Sequence, residues 1–299
     1  EELVERASQL GYAALALTDE CSMAGVVRAH VAAKAQGLKL LIGSQFEVEA
    51  GEPLAPFTLI VIACNRTGYG DLCEFITELR RASPIKGSYH LRAADVDPQA
   101  LRDCVVLAAP RRPASSDRLL AIARWLLDRF MGRCWLAAQL LRQLGDEMWL
   151  HRLREVSELT AIPLVACGDV HMHLRSRKTL QDVLTATRLG QPLTRCGLQL
   201  QPNAERHLRS RLRLAQACPP ELLAQTLRVA ARCGFNLDEL RYQYPEEVVP
   251  TGETPASHLR HITYEGAARR WPGGIPVKVR SQIEHELALI SELNYEPYF

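Results

Sequence analysis

Residues 164–173 read LVACGDVHMH. A short apolar run stops at Gly168, and Asp169, His171 and His173 follow at every second position. Residues two apart on an extended chain point to the same side, so these side chains could converge on one ion at the end of a strand. Imidazole and carboxylate together suit zinc, manganese or iron. A polar strand end with two incidental histidines is the alternative, and the rest of the chain has to supply the other ligands.

Further strand-like runs are AALALT (13–18), KLLIG (39–43), FTLIVIAC (57–64), CVVLAAP (104–110) and CWLAAQL (134–140). Between most of them lie amphipathic segments, among them AGVVRAHVAAKAQG (24–37), GYGDLCEFITELRRA (68–82) and SSDRLLAIARWLLDRF (115–130). Strand and helix in alternation predict an α/β fold on a parallel sheet, open or closed into a barrel. In such folds chemistry gathers at the carboxyl ends of strands. Three of these ends are polar: TDE after the first run, GSQFE after the second and GDVH after the last. The chain starts within a helix that precedes the first strand, so an upstream strand is expected. At the other end NYEPYF stops without a polar tail.

From about residue 203 the pattern changes. LRSRLRLAQACPPELLAQTLRVAARCGFNLDEL predicts a helix, a Pro-Pro break and a second helix with Asn236 near its end. YQYPEEVVPTGETP reads as a Pro-rich connector, and 254–293 as two more amphipathic helices.

With 299 residues, 47% of them hydrophobic, the chain can bury one large α/β core or two smaller ones. No apolar run approaches a membrane span, and EELVERASQL is an amphipathic helix, so no membrane partner and a cytoplasmic location are expected. Nine cysteines without a C-x-x-C pair predict reduced thiols, not a disulfide frame or a zinc ribbon. The formal charge is only +2, yet basic residues cluster in HLRSRK (173–178) and RHLRSRLR (206–213). Arg175, Arg177, Lys178, Arg209 and Arg211 are candidates for contact with a nucleic-acid backbone, and a solvated helix face is the plain alternative.

The longer stretches GYAALALTDECSMAGVVRAH (11–30), NRTGYGDLCEFIT (65–77), GDVHMHLRSRKTLQDVLTATRLG (168–190), NAERHLRSR (203–211), ELRYQYPEEVVPTGETPASHLR (239–260) and IEHELALISELNYEPYF (283–299) carry a resemblance. Together they resemble the bacterial C-family DNA polymerases, in their error-prone, α-subunit-like branch, along essentially the whole chain. The resemblance implies a PHP-type β/α barrel lacking its first strand over 1–202. It implies a helical extension and connector over 203–252, and the start of the polymerase palm over 253–299.

PHP barrels of this family hold metal ions at their strand ends, and the resemblance assigns the ligands residue by residue. TDE places Glu20 where a histidine is common, GSQ leaves Gln45 in place of a carboxylate, and AAPRRP (108–113) stands where relatives have a cysteine ligand. The family's upstream H-x-H does not occur in this sequence. Only the D-x-H pair, Asp169 and His171, matches cleanly, and His173 lies outside it. An amide brings no charge to a dication, so the set Glu20, Asp169 and His171 is expected to hold at most one Zn2+ or Mn2+ weakly.

For the parent protein the resemblance implies an error-prone DNA-directed DNA polymerase acting in damage-induced mutagenesis and translesion synthesis. Its substrates would be a primed DNA template and deoxynucleoside triphosphates, with Mg2+ held by palm aspartates beyond residue 299. Mutagenesis accessory proteins and a sliding clamp would be its partners. Within it the barrel reads as degenerate and structural, and the segment alone as inactive. The alternatives are a metal-dependent PHP phosphoesterase or 3'-5' exonuclease, and a non-catalytic scaffold module.

Overall fold

The protein is described by a computed structural model over residues 1–49, 51–240 and 249–299. The elements are α1 (Glu2–Gln9), β1 (Ala14–Glu20), α2 (Val26–Gln36), β2 (Lys39–Val48), β3 (Phe57–Ala63), α3 (Arg66–Ala82), β4 (Cys104–Pro110), α4 (Ser116–Phe130), β5 (Cys134–Gln139), α5 (Asp146–Thr160) and β6 (Leu164–Cys167). After them come α6 (Lys178–Leu189), α7 (Leu193–Cys196), α8 (Arg211–Ala217), α9 (Pro220–Arg232), α10 (Pro255–Arg270) and α11 (Val277–Leu293). All six sequence-predicted strands form. Local chemistry sets several boundaries: the Asn65 side chain caps α3 by accepting from Gly68 N at 2.9 Å, and Gly37 ends α2 at φ 62°.

The strands make one curled half-barrel sheet in the order β1-β2-β3-β4-β5-β6. Its direction departs from the expected all-parallel arrangement. β3 runs antiparallel to both β2 and β4, while the other neighbours are parallel. The cause is the link between β2 and β3, residues 49–56, which is too short for a helical crossover. The two strands also approach closely at Gly43, where a Cβ would stand 2.4 Å from the Val61 carbonyl oxygen. As a result β1, β2, β4, β5 and β6 all end on one rim, and β3 ends on the opposite one.

Alternate residues face opposite sides of the sheet, and both sides are covered. Phe57, Leu59, Val61, Val106 and Leu136 pack with Leu72, Phe75, Leu119, Leu126 and Leu153 of α3, α4 and α5. Ile60, Ile62, Val105, Leu107, Trp135 and Val165 pack on the other side with Val229 of α9 and with Cys233. Trp135 Nε1 donates to Gln225 Oε1 at 3.0 Å and fixes α9 there.

The chain divides into two compact units. The first compact unit is Glu1–Leu240 and the second Arg241–Phe299. Residues 203–240, read from sequence as a separate extension, therefore belong to the first unit because α9 covers a face of its sheet. Asn236 does not end α9; it caps a short 3₁₀ turn, Leu237–Glu239. Half of the expected Pro-rich connector, residues 242–248, lies outside the described residues. In the second unit α10 starts on a capping box of Thr254 and Ser257 and stops before Trp271. Among the described residues, no helix is long and apolar enough to cross a membrane.

Candidate metal centre at the strand ends

The rim shared by β1, β2, β4, β5 and β6 carries the residues singled out in the sequence. At the end of β1, Asp19 Oδ2 accepts from Gly25 N at 3.1 Å and so holds the entry to α2. Glu20, expected to face a metal, is engaged elsewhere: its Oε1 accepts from the Tyr89 hydroxyl at 3.0 Å. That hydroxyl also accepts from Glu47 N at 2.8 Å. Burial and the adjacent carboxylates push the Tyr89 phenol well above its usual range, so it stays a donor. Gln45 pairs with Glu20 across the β1–β2 ladder, and its carbonyl accepts from Cys21 N at 2.8 Å. Cys21 is buried, and burial raises its thiol pKa.

At the end of β6 the backbone turns sharply, with Asp169 at φ 42°. The Asp169 carboxylate forms an ion pair with the guanidinium of Arg206 and lies 3.0 Å from His171 Nε2. The same imidazole nitrogen is 3.4 Å from Arg206. Burial, with a smaller contribution from Arg188, lowers the His171 pKa and favours the neutral ring. His173 stands apart, paired with Glu2 of α1 at 3.2 Å.

Arg206 reaches this position because residues 203–209 cross the rim. Asn203 Nδ2 donates to the Leu141 carbonyl at 2.8 Å, His171 N donates to the Arg206 carbonyl at 2.9 Å, and Leu208 N donates to the Met172 carbonyl at 3.1 Å. Arg209 donates to the Leu140 carbonyl at 3.0 Å, and Tyr12 donates to the Arg209 carbonyl at 2.7 Å. The ends of β5 and β6 are thereby tied to the chain entering β1. At the end of β4, where the resemblance placed a thiolate, Arg111 pairs with Glu47, and Arg112 pairs with Asp146 at 2.6 Å.

These residues do not fit a resident dication. Asp169 already holds a cation, Glu20 is bound to a phenol, Gln45 is neutral, and two arginines follow β4. Among the described residues, no three His, Cys, Asp or Glu side chains are placed to share a metal ion. Of the expected set Glu20, Asp169 and His171, the structure brings Asp169 and His171 together and places Glu20 on Tyr89.

Comparison with known proteins accords with this architecture. A model of the PHP domain matches residues 1–115. Residues 1–115 are what is similar to the PHP domain. Along its whole length it is 53% identical to an error-prone DNA polymerase of Dechloromonas aromatica and 50% identical to one of Methylococcus capsulatus. It spans only 28% of the length of each of these relatives. A solved amidohydrolase from Chromobacterium violaceum is a distant likeness, 15% identical with a TM-score of 0.42 over 55% of this chain and 79% of that one.

Beyond residues 1–115 the basic candidates separate. Arg175 and Arg177 are exposed, facing Glu205 at 3.7 Å and Glu2 at 3.5 Å respectively. Lys178 is half-buried and turned onto Asp182 of its own helix at 2.5 Å. Arg211 opens α8 and is exposed. Arg209 is only 3% exposed, so it cannot meet a nucleic-acid backbone; its role is to bind the end of β5. Arg206 was missed as a site residue. It lies in the NAERHLRSR motif, but an arginine inside an apparent helical pattern gives no sign that it will face an aspartate across the rim.

Proposed function

We propose that this chain is a segment of an error-prone DNA polymerase in which the PHP domain is a non-catalytic scaffold. The whole-length identity to error-prone DNA polymerases supports the parent activity: template-directed extension of a primer with deoxynucleoside triphosphates and Mg2+. The palm aspartates that hold Mg2+ would lie beyond residue 299, and residues 253–299 would lead into the palm. Damage-induced mutagenesis and lesion bypass, cytoplasmic location, and recruitment by accessory proteins and a sliding clamp follow from the same kinship.

The observation that carries the scaffold reading is the Asp169–Arg206 ion pair. Metal-assisted phosphodiester cleavage needs a metal-activated nucleophile and charge stabilisation of the leaving oxygen. A guanidinium on the one matching carboxylate cannot generate that nucleophile, because it has no basic site, and it occupies the carboxylate a metal ion would need. What it does supply is a fixed, metal-independent closure of the rim. Exposed Arg175, Arg177 and Arg211 would add weak, sequence-independent attraction for the DNA backbone.

The test uses the full-length protein on a primed template. Primer extension with Mg2+ is expected, with no 3'-5' removal of the terminal nucleotide that Asp169→Ala abolishes. Exonuclease activity lost with Asp169→Ala while extension persists would replace the scaffold by a nuclease. Absence of any extension would overturn the polymerase assignment.

A further inference from the structure

The opposite rim, where β3 ends, carries a pair of thiols with no part in the strand-end site. Cys64 follows β3 and Cys233 follows α9. Gly234 N donates to the Cys64 carbonyl at 2.8 Å, so the backbones carrying the two cysteines run side by side. Both side chains pack in the cluster that joins α9 to the sheet. Cys64 is partly accessible and Cys233 is buried.

We propose that Cys64 and Cys233 form a reversible, hydroperoxide-sensitive dithiol, with Cys64 the attacking thiol and Cys233 the resolving one. The surroundings suit these roles. The hydrogen bond from Cys233, helped by Arg232, lowers the Cys64 pKa to about 7, whereas Cys233 is held protonated. Arg232 and Lys39 are anchored beside the pair, on the Gly132 carbonyl at 2.6 Å and the Ala230 carbonyl at 2.7 Å. Three other thiols are pushed the opposite way: burial takes Cys104 to about 12, and Cys134 and Cys167 to about 11.

In the first step the Cys64 thiolate attacks one peroxide oxygen. The O–O bond breaks, the departing hydroxide takes up a proton as water, and Cys64 becomes a sulfenic acid. Cys233 then attacks the Cys64 sulfur. An S–S bond forms, the S–O bond breaks, and the Cys233 proton leaves with the hydroxyl as a second water. Two thiols are oxidised by two electrons and one hydroperoxide is reduced; a small dithiol reverses the change by exchange. Closing the disulfide requires side-chain rotation that brings the two sulfurs to ~2.05 Å. The product would join the end of β3 to the end of α9.

The full-length protein is treated with one equivalent of hydrogen peroxide, alkylated and digested with trypsin. The expected product is a cross-link of peptide 40–66 to peptide 233–241, each of which contains one cysteine. It should be two hydrogens lighter than its parts and disappear with dithiothreitol. Cys233→Ser should leave a dimedone-reactive sulfenic acid on Cys64, and Cys104→Ser should leave the cross-link intact. Without any substitution, Cys64 should react with iodoacetamide at pH 7 roughly 5-fold faster than partly buried Cys73, after allowing for the weaker nucleophilicity of a low-pKa thiolate. Cys73 oxidation without the 64–233 cross-link, or equal alkylation of Cys64 and Cys73, would overturn the proposal.

Discussion

Asp169, on the turn after β6, is ion-paired with Arg206, and both side chains are mostly buried, at 16% and 19% exposed. Thirty-six residues and two helices separate them in sequence, yet the pair sits at the strand end that would otherwise present a free carboxylate. A half-buried carboxylate depends on its counter-ion. Asp169→Asn and Arg206→Gln should each cost about 2 kcal/mol, and the double variant clearly less than the sum, because loss of one partner strands the other. Urea unfolding of the four proteins measures this. Simple additivity would show that the pair is not coupled.

The same pair is expected to oppose metal binding. Dialysis against a chelator should leave the melting temperature unchanged. Gln45→Glu with Glu20→His should retain no added Zn2+ or Mn2+ while Arg206 remains, since a dication would have to approach a fixed guanidinium. Adding Arg206→Gln should raise the retained metal, and His171→Ala should then remove the gain. Elemental analysis at one pH gives the stoichiometry. A Zn2+ or Mn2+ ion retained by the wild-type chain, and lost with Asp169→Ala, would contradict this expectation.

Arg209 and Arg211 should part company on substitution. Arg211→Ala should weaken binding to single-stranded DNA and lower its salt dependence, by about one in slope, without moving the melting temperature. Arg209→Ala should instead cost about 2 kcal/mol of stability by leaving the Leu140 carbonyl without its charged donor. Fluorescence anisotropy across a salt series, paired with thermal melts, distinguishes the two. An Arg209 variant that melts normally but binds DNA poorly would return that residue to the surface.

Stability should fall in mild acid through histidine. Burial lowers the His207 pKa, and its Nδ1–H donates to the Ala204 carbonyl at 2.7 Å. The folded state therefore binds this proton less readily than the unfolded chain. The penalty is absent well above the unfolded value, near 6.5, and grows as pH falls through it toward the folded pKa. His207→Asn should shrink the loss in melting temperature between pH 7.5 and 5.5, and His171, shifted the same way, should account for part of the remainder. An unchanged difference in the His207 variant would refute the assignment.

Local pattern was enough to place the strands and most of the helices. Runs such as 57–64 and 104–110 are apolar on both sides because both faces of this sheet are covered, and they end where Asn65 and Pro110 interrupt them. The polar strand ends TDE and GDVH were legible for the same reason. The sequence by itself thus determined the α/β class and the six strands. Three things waited for the tertiary structure. The reversal of β3 depends on a short link and on the approach of Gly43 to Val61; the burial of Arg209 and the arrival of Arg206 at Asp169 depend on residues 203–209 crossing the rim; the meeting of Cys64 with Cys233 depends on α9 packing across the sheet. Each is a contact between distant residues, fixed by packing and charge pairing in space, and no periodicity along the chain records it.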